Sequence, residues 1–334
     1  MHYPAESKVI RDSIEQASCV LAVSHSNPDA DSIASLLAFQ RAFQSESRSV
    51  ELATGSGTIP ETLDFLDGTD EIVPADHLRV EKYDLVAFLD CADEERVGEP
   101  GSQILNQAID RVPVINIDHH VTNSRFGTMN LIDSKAAATC EILQLLFEDL
   151  SIQTDANQAT VLMSGIQGDT LGLRTPSTTG RTLEVSARLL DAGADLDTIV
   201  DYLFRIRPYS TLRLWAHALS AVEFTGELIW TEITMEMLDD AGADESEAEG
   251  IVNFLAGTRG ARAAAMLYRK PDGWRVSMRS LTDDVDVSQL TSLFGGGGHS
   301  RAAGCSLSGD VSVRDEFLHT VADRISTGKP APVD

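Results

Sequence analysis

Four short apolar runs most constrain what this chain can fold into. Residues 19–24, 50–53, 85–89 and 112–117 are bounded by polar or turn-forming residues. Runs of this length read as buried strands. Segments with helical character lie between them, at 33–43, near 61–66 and at 103–109. Alternation of strand and helix marks an α/β fold, a doubly wound parallel sheet covered on both faces. Helices then dominate at 136–147, 155–165, 182–190, 195–204 and 210–222, with Arg207-Pro208 breaking the last pair. Strand patterns return at 228–234, 263–268 and 274–280, flanked by helices at 245–255 and 311–325. The expected organisation is a first domain over 1–190, a helical connector over 191–222 and a smaller α+β domain over 223–330. Thr54-Gly55-Ser56-Gly57 reads as a polar turn and 330–334 as a loose tail.

The residues just past these strands are unusual. Open α/β sheets bind ligands beyond the carboxyl ends of their strands. The first strand leads into His25-Ser26-Asn27-Pro28-Asp29-Ala30-Asp31-Ser32, the third into Asp90-Cys91-Ala92-Asp93, and the fourth into Asp118-His119-His120. Asp29, Asp31 and Ser32 all suit a helix cap, and a surface His pair is common. Capping alone does not explain His25, Asp29 and Asp31 crowding one loop. Asp93 reads as an N-cap, which leaves Asp90 as the better ligand candidate. Asp169 follows Gly168, read as a tight turn at a helix end, and by itself would pass for a cap.

The formal net charge is −26, from 52 acidic and 26 basic residues, of which only five are lysine. Such a surface suits a protein kept soluble in a salty cytoplasm, and it repels long nucleic acid. A polyanion-tracking protein carries a basic stripe, and none is visible here. Small phosphorylated substrates caught at a local cationic site are therefore expected. If the acidity is an adaptation to salt, the melting temperature is expected to rise from low to molar KCl as screening relieves self-repulsion. A flat or falling profile would count against that reading. No run approaches a membrane span, and the N-terminal residues are polar rather than signal-like. Cys19, Cys91, Cys140 and Cys305 lack any CxxC spacing and read as isolated thiols. These features point to a cytoplasmic protein.

One stretch in the second domain calls for a ligand: Gly295-Gly296-Gly297-Gly298-His299-Ser300-Arg301. Four glycines sacrifice backbone entropy. A backbone that presents N–H groups to an anion accounts for them better than a linker does. Arg279, at the end of a predicted strand, is a candidate phosphate fork.

Together His25, Asp29, Asp31, Asp90, His119 and Asp169 supply four carboxylates and two imidazoles. That mixture suits two Mn²⁺ or Mg²⁺ ions better than structural zinc. A close pair of cations needs a shared carboxylate, and Asp90 is the natural bridge; such a pair activates water for attack on a phosphoryl group. His120 fits beside the ligands or on a phosphate.

These stretches resemble the DHH phosphoesterase superfamily. The resemblance runs from His25 through Asp90, Asp118-His119-His120 and Gly168-Asp169-Thr170 to a DHHA1-like Gly295–Gly304 stretch, over about residues 18–325. Length and lack of appended modules resemble its nanoRNase/pAp-phosphatase branch. The resemblance implies one manganese on His25, Asp29 and Asp90, and another on Asp31, Asp90, His119 and Asp169. It implies catalysis at Asp118, His119 and His120, with Arg279, Gly295, Gly296, Gly297, Gly298 and His299 on the substrate's far phosphate. The implied substrates are short single-stranded oligonucleotides, linear dinucleotides or 3′-phosphoadenosine 5′-phosphate. No membrane or long-duplex partner is implied, and a homodimer is compatible. An inorganic pyrophosphatase and a non-catalytic replication or repair scaffold are the alternatives. The first would lack the glycine-histidine run, and the second would have lost ligands. Relatives often place Thr before the last motif's Asp and a Gly-aromatic pair after it. This chain has Gly168 before, then Leu171-Gly172-Leu173-Arg174.

Overall fold

The computed structural model describes residues 1–55, 58–248 and 250–327. Ser56 and Gly57 of the predicted turn, and the predicted tail at 330–334, lie outside the described residues. The chain divides into two compact units, Met1–Ile206 and Arg207–Asp334. The predicted connector is thus shared: its residues through Ile206 belong to the first unit and the rest to the second.

The first unit contains α1 (Pro4–Gln16), β1 (Cys19–Ser24), α2 (Ala30–Phe43), β2 (Ser49–Thr54), β3 (Val73–Pro74), β4 (Leu85–Leu89), α3 (Glu94–Ala108), β5 (Val114–Asp118) and β6 (Met129–Ile132). Beyond them lie α4 (Thr139–Leu150), α5 (Ala156–Asp169), α6 (Gly180–Asp191) and α7 (Leu196–Val200). The sheet order is β3-β2-β1-β4-β5-β6, and every pairing is parallel. Alternate residues of each inner strand enter different cores. Val20, Ala22, Leu85 and Ala87 pack with α1, α2, α4 and α5. Leu21, Val23, Val86 and Phe88 pack with α3. Burial on both faces is why these strands are continuous apolar runs rather than alternating ones. The direction of winding reverses between β1 and β4, so the carboxyl ends of those two strands flank the crevice where such sheets bind ligands.

Several predicted boundaries moved for local reasons. Helix α3 begins at Glu94 rather than 103, capped by Asp93, whose side chain accepts from the N–H of Arg96 at 2.8 Å. Gly98, at φ +79°, and Pro100 kink it and masked its first turns in the sequence. The predicted helix 195–204 is the short α7 followed by a π-turn over Asp201–Arg205. Gly168 makes no turn, because α5 runs through it to Asp169.

The second unit contains α8 (Tyr209–Ser220), β7 (Glu223–Thr225), β8 (Leu228–Ile233), α9 (Met235–Ala241), α10 (Ile251–Leu255), β9 (Ala263–Lys270) and β10 (Gly273–Ser280). It ends with α11 (Val287–Ser292), β11 (Gly297–His299), β12 (Ala302–Ser308) and α12 (Val311–Thr327). Its sheet order is β11-β12-β10-β9-β8-β7. Only β8–β9 is parallel; the other pairs are antiparallel. Ile229, Ala264 and Met266 pack under α8, α9 and α10, while Val276, Met278 and Cys305 pack under α11 and α12. The predicted helix 245–255 resolves into a 3-10 turn, Glu245–Ala248, and α10. No helix among the described residues is long and apolar enough to cross a membrane.

Candidate active site

The first unit gathers His25, Asp29, Asp31, Asp90, Asp118, His119, His120 and Asp169 beyond the carboxyl ends of β1, β4 and β5. Three ligand sets overlap there: His25 with Asp29 and Asp90; Asp31 with His119 and Asp169; and Asp90 with Asp118, His119 and His120. Within each set the donor atoms lie within 4.8 Å of one another. Asp90 faces two ways. One of its oxygens is 3.4 Å from Nε2 of His25, and the other is 3.6 Å from Nε2 of His119. Its backbone takes φ +60° immediately after β4, a region in which Asp is better tolerated than most residues.

Each ligand is fixed by the fold around it. His25 donates from Nδ1 to its neighbour's carbonyl, Ser26 O, at 2.8 Å, because a carbonyl can only accept. Its Nε2 is thereby turned toward Asp29 and Asp90. Asp29 is the N-cap of α2, accepting from the Ser32 N–H at 3.0 Å. The capping role and the place in the cluster therefore coexist: Oδ2 reaches to 3.6 Å from His25 Nε2. Asp31 is wholly buried and accepts from the N–H groups of Thr139 (2.6 Å) and Cys140 (3.0 Å), at the start of α4. A helix N-terminus favours a carboxylate. Space for it comes from Gly165, where a Cβ would sit 2.6 Å from Asp31 Oδ1 and 2.4 Å from Cys140 Sγ. Asp118 accepts from His120 Nδ1 at 2.7 Å and from Asn123 Nδ2 at 2.6 Å. It thereby holds the His120 ring in one orientation.

Charge in this cluster is strongly perturbed. Burial disfavours the imidazolium of His25, but Asp29 and Asp90 outweigh it and raise its pKa to about 11. His119 is raised to about 10, as Asp169 and Asp90 overcome burial. Asp31 is pushed well above the usual carboxylate range by burial and by Asp90 and Asp169. Burial raises Asp169 to about 6 despite its contact with His119. Against desolvation, the His25 contact keeps Asp29 below the ordinary range. His120 likewise keeps Asp118 low despite its burial. Nε2 of His25 and of His119 are both buried with no hydrogen bond made, although each faces carboxylate oxygens. Two orphaned imidazole nitrogens among carboxylates are what a divalent cation would satisfy, so the cluster can hold metal ions.

Three supporting residues escaped the sequence reading. Thr139 donates through its hydroxyl to Asp90 Oδ1 at 3.0 Å while its N–H holds Asp31. Asn123 and Asn116 bond each other at 2.9 Å and both reach the carbonyl of Cys91. Thr139 at a helix start would read only as a cap, and nothing local links it to residues 31 and 90. Replacing Thr139 with Val keeps the shape but removes the hydroxyl. Metal affinity is expected to fall about 10- to 100-fold, with Thr139→Ser close to the parent, in a Mn²⁺ titration followed by melting temperature. Equal affinity in all three proteins would contradict the role.

Just past Asp169 the chain runs left-handed through Leu171 (φ +49°), Gly172 (φ +78°) and Leu173 (φ +62°). Left-handed backbone costs a leucine roughly 1–2 kcal/mol. The turn is held by the Leu173 N–H donating to Thr170 Oγ1 at 2.9 Å. Strain of this kind beside a ligand is typical of functional sites.

The substrate candidates lie in the second unit. Arg279 and His299 both pair with Ala302, on either side of it. Directly paired residues share a face, so the two side chains stand on one face, two strands (about 10 Å) apart. Arg279 donates from Nε to Asn253 Oδ1 at 2.8 Å and from a terminal nitrogen to Met278 O at 2.9 Å. The glycine run is part strand. A Cβ at Gly296 would sit 2.2 Å from Gly304 O, and Gly298 takes φ +140°. Close packing of β11 on β12 thus accounts for two of the four glycines. All four cysteines are free, and Cys91, Cys140 and Cys305 are buried.

Known proteins share both the sequence pattern and the fold. The sequence profile of the DHH family, N-terminal domain, matches residues 19–166, and that of the DHHA1 domain matches 228–327. A bifunctional oligoribonuclease and PAP phosphatase, NrnA, of Thermus thermophilus is 33% identical over 85% of this chain and 83% of its own. The chain belongs to the DHH/DHHA1 family. Among solved structures, an exopolyphosphatase-related protein from Bacteroides fragilis superposes with a TM-score of 0.87 at 21% identity, over 97% of each chain. RecJ from Thermus thermophilus, in complex with Mn²⁺, gives 0.56 at 15% identity, over 99% of this chain and 55% of that one. These two likenesses concern the fold. Membership in the family, with the acidic and histidine cluster retained, makes the chain an enzyme, a phosphoric ester hydrolase.

Proposed function

We propose that this DHH/DHHA1 protein is a two-metal phosphoesterase that hydrolyses short oligonucleotides, linear dinucleotides or 3′-phosphoadenosine 5′-phosphate. The observation that carries the reading is Asp90, with one carboxylate oxygen directed at each of two histidine-centred ligand sets. His25, Asp29 and Asp90 would hold one cation; Asp31, Asp90, His119 and Asp169 would hold the other. Oxygen-rich sets with one imidazole each suit Mn²⁺, with Mg²⁺ the next candidate. Two cations held there supply a water-derived nucleophile at neutral pH and a positive clamp on the phosphoryl oxygens. Asp118 fixes the His120 ring, leaving Nε2 to meet the substrate phosphate. Buried donors from Thr139 and the start of α4 keep Asp31 and Asp90 from rotating away. In the second unit, Arg279, His299 and the N–H groups of the glycine run hold the phosphate remote from the scissile bond. The substrates named by the Thermus relative support this reading.

A panel assay with Mn²⁺ tests it, comparing di- to pentanucleotides, long single strands, 3′-phosphoadenosine 5′-phosphate and pyrophosphate. Short nucleotides are expected to be cut much faster than long strands, and pyrophosphate hardly at all. Preference for pyrophosphate or for long strands would overturn the proposal. The division of labour has its own test. His299→Ala is expected to lower kcat/KM for a dinucleotide while sparing a small generic phosphodiester that touches only the metals. Equal losses on both substrates would show that the second unit does not set substrate length.

A further inference from the structure

The same face of the second unit carries an aromatic side chain that the phosphate-binding reading leaves unused. Phe254 on α10 is 61% exposed. A single exposed apolar side chain is ordinary, but this one is set in a fixed frame. Its ring centroid lies 6.1 Å from that of Trp215 on α8. The indole N–H of Trp215 donates to Glu247 O at 3.1 Å, which orients its ring. On the other side, the neighbouring Asn253 accepts from Arg279 Nε. Arg279 shares its row and face with His299 through Ala302. That row continues through Ala264 and Ile229, which lie under α8 and α10. The second unit thus brings together an exposed aromatic pair, an amide bonded to a guanidinium and, in that guanidinium's row, an imidazole. The set matches the parts of a nucleotide: an apolar ring to stack, base-edge groups to hydrogen-bond, and a phosphate to pair with cations.

We propose that Phe254, backed by Trp215, is the stacking platform for a nucleobase of the substrate, with Asn253 beside it at the base edge or sugar. This rests on the nucleotide-hydrolase reading above and adds to it a recognition site for the base. Stacking needs no particular base, so the platform selects nucleotides over simple phosphate esters without fixing a sequence. It also gives a short substrate an anchor independent of the metals.

The test compares an adenine dinucleotide with a dinucleotide lacking the base at the anchored end. In the parent, Phe254→Ala and Phe254→Tyr proteins, kcat and KM are measured for both. Phe254→Ala is expected to raise KM for the adenine dinucleotide about tenfold or more and to leave the base-free substrate unchanged. Phe254→Tyr is expected to restore the parent value. Equal effects on both substrates, or no effect, would overturn the proposal. A second measurement does not depend on turnover. Trp230 and Trp274 are buried, so Trp215 is the indole a stacked base would quench. Titration with adenosine 5′-monophosphate is expected to quench emission in the parent, less in Phe254→Ala and not in Trp215→Phe. Absence of quenching in a protein that cleaves dinucleotides sinks the platform. Quenching without cleavage of any short nucleotide keeps the platform and sinks the hydrolytic reading.

Discussion

Asp90→Asn is expected to give a folded protein that has lost both its response to Mn²⁺ and its turnover. Asparagine tolerates the positive φ of this position as aspartate does, and its amide oxygen can still accept from Thr139. Two electrostatic changes then act in opposite directions on the metal-free fold. His25 and His119 each lose one anionic partner, while Asp31 and Asp169 are relieved of a like charge. The metal-free melting temperature is expected to stay near that of the parent. The bound state differs, because the carboxylate that faces both His25 and His119 is gone. Turnover is expected to fall by well over about a hundredfold, the upper end of the cost of losing a mere outer-shell partner. The rise in melting temperature with Mn²⁺, which measures metal bound to the folded state, is expected to vanish. His25→Ala is the control: it touches one set only, so part of the Mn²⁺ response is expected to survive. An Asp90→Asn protein that still gains thermal stability from Mn²⁺ would show that Asp90 does not join the two sites. So would a saturated parent that binds a single cation.

The first unit was legible because its strands are buried on both faces and several of its candidate ligands follow strand ends directly. Residues 85–89 carry no polar atom beyond the backbone, and Asp90 comes next, so element and ligand are read in one glance. Short edge elements were not legible. Val73–Pro74 and Glu223–Thr225 form strands only because a neighbour supplies the ladder. Ala302–Ser308 is built from Ala, Gly, Cys, Ser and Leu, which have little preference for a strand by themselves, and pairing with β10 decides its state. The glycines show the same limit. Gly168 suggested a turn, but a Cβ there would lie 2.5 Å from that of Ala30, so it marks the close approach of α5 to α2. Within the candidate site, the side chains found from sequence were those whose chemistry is rare. The ones missed, Thr139, Asn116 and Asn123, are common residues whose role depends on partners distant in the chain.

Metal uptake is expected to depend steeply on pH. In the metal-free cluster the carboxylates hold His25 near pKa 11 and His119 near 10, so at neutral pH both rings carry the proton that a cation must displace. Each displaced proton makes affinity rise about tenfold per pH unit, so two give about a hundredfold. Between pH 6.5 and 7.5 the slope is therefore expected to be two or more. Calorimetry in buffers of different ionisation enthalpy is expected to count at least two protons released per fully loaded chain, those of the two histidines together with any still held by Asp31 and Asp169. The stability of the metal-free protein follows the same groups with a definite sign. Both imidazoles titrate higher in the folded state than at their ordinary value of about 6.5. Their contribution is thus fully present below about pH 6.5 and is lost as pH rises toward 10–11. Asp169, raised to about 6, and Asp31, held well above the usual carboxylate range, add the same sign, because the folded chain keeps protons the unfolded chain has released. The metal-free melting temperature is therefore expected to fall as pH rises from 6 to 9. The increment gained from saturating Mn²⁺ is expected to grow over the lower part of that range. If binding releases no protons and the two melting profiles run parallel, the histidines are not displaced. His25 and His119 would then have to be removed from the ligand sets.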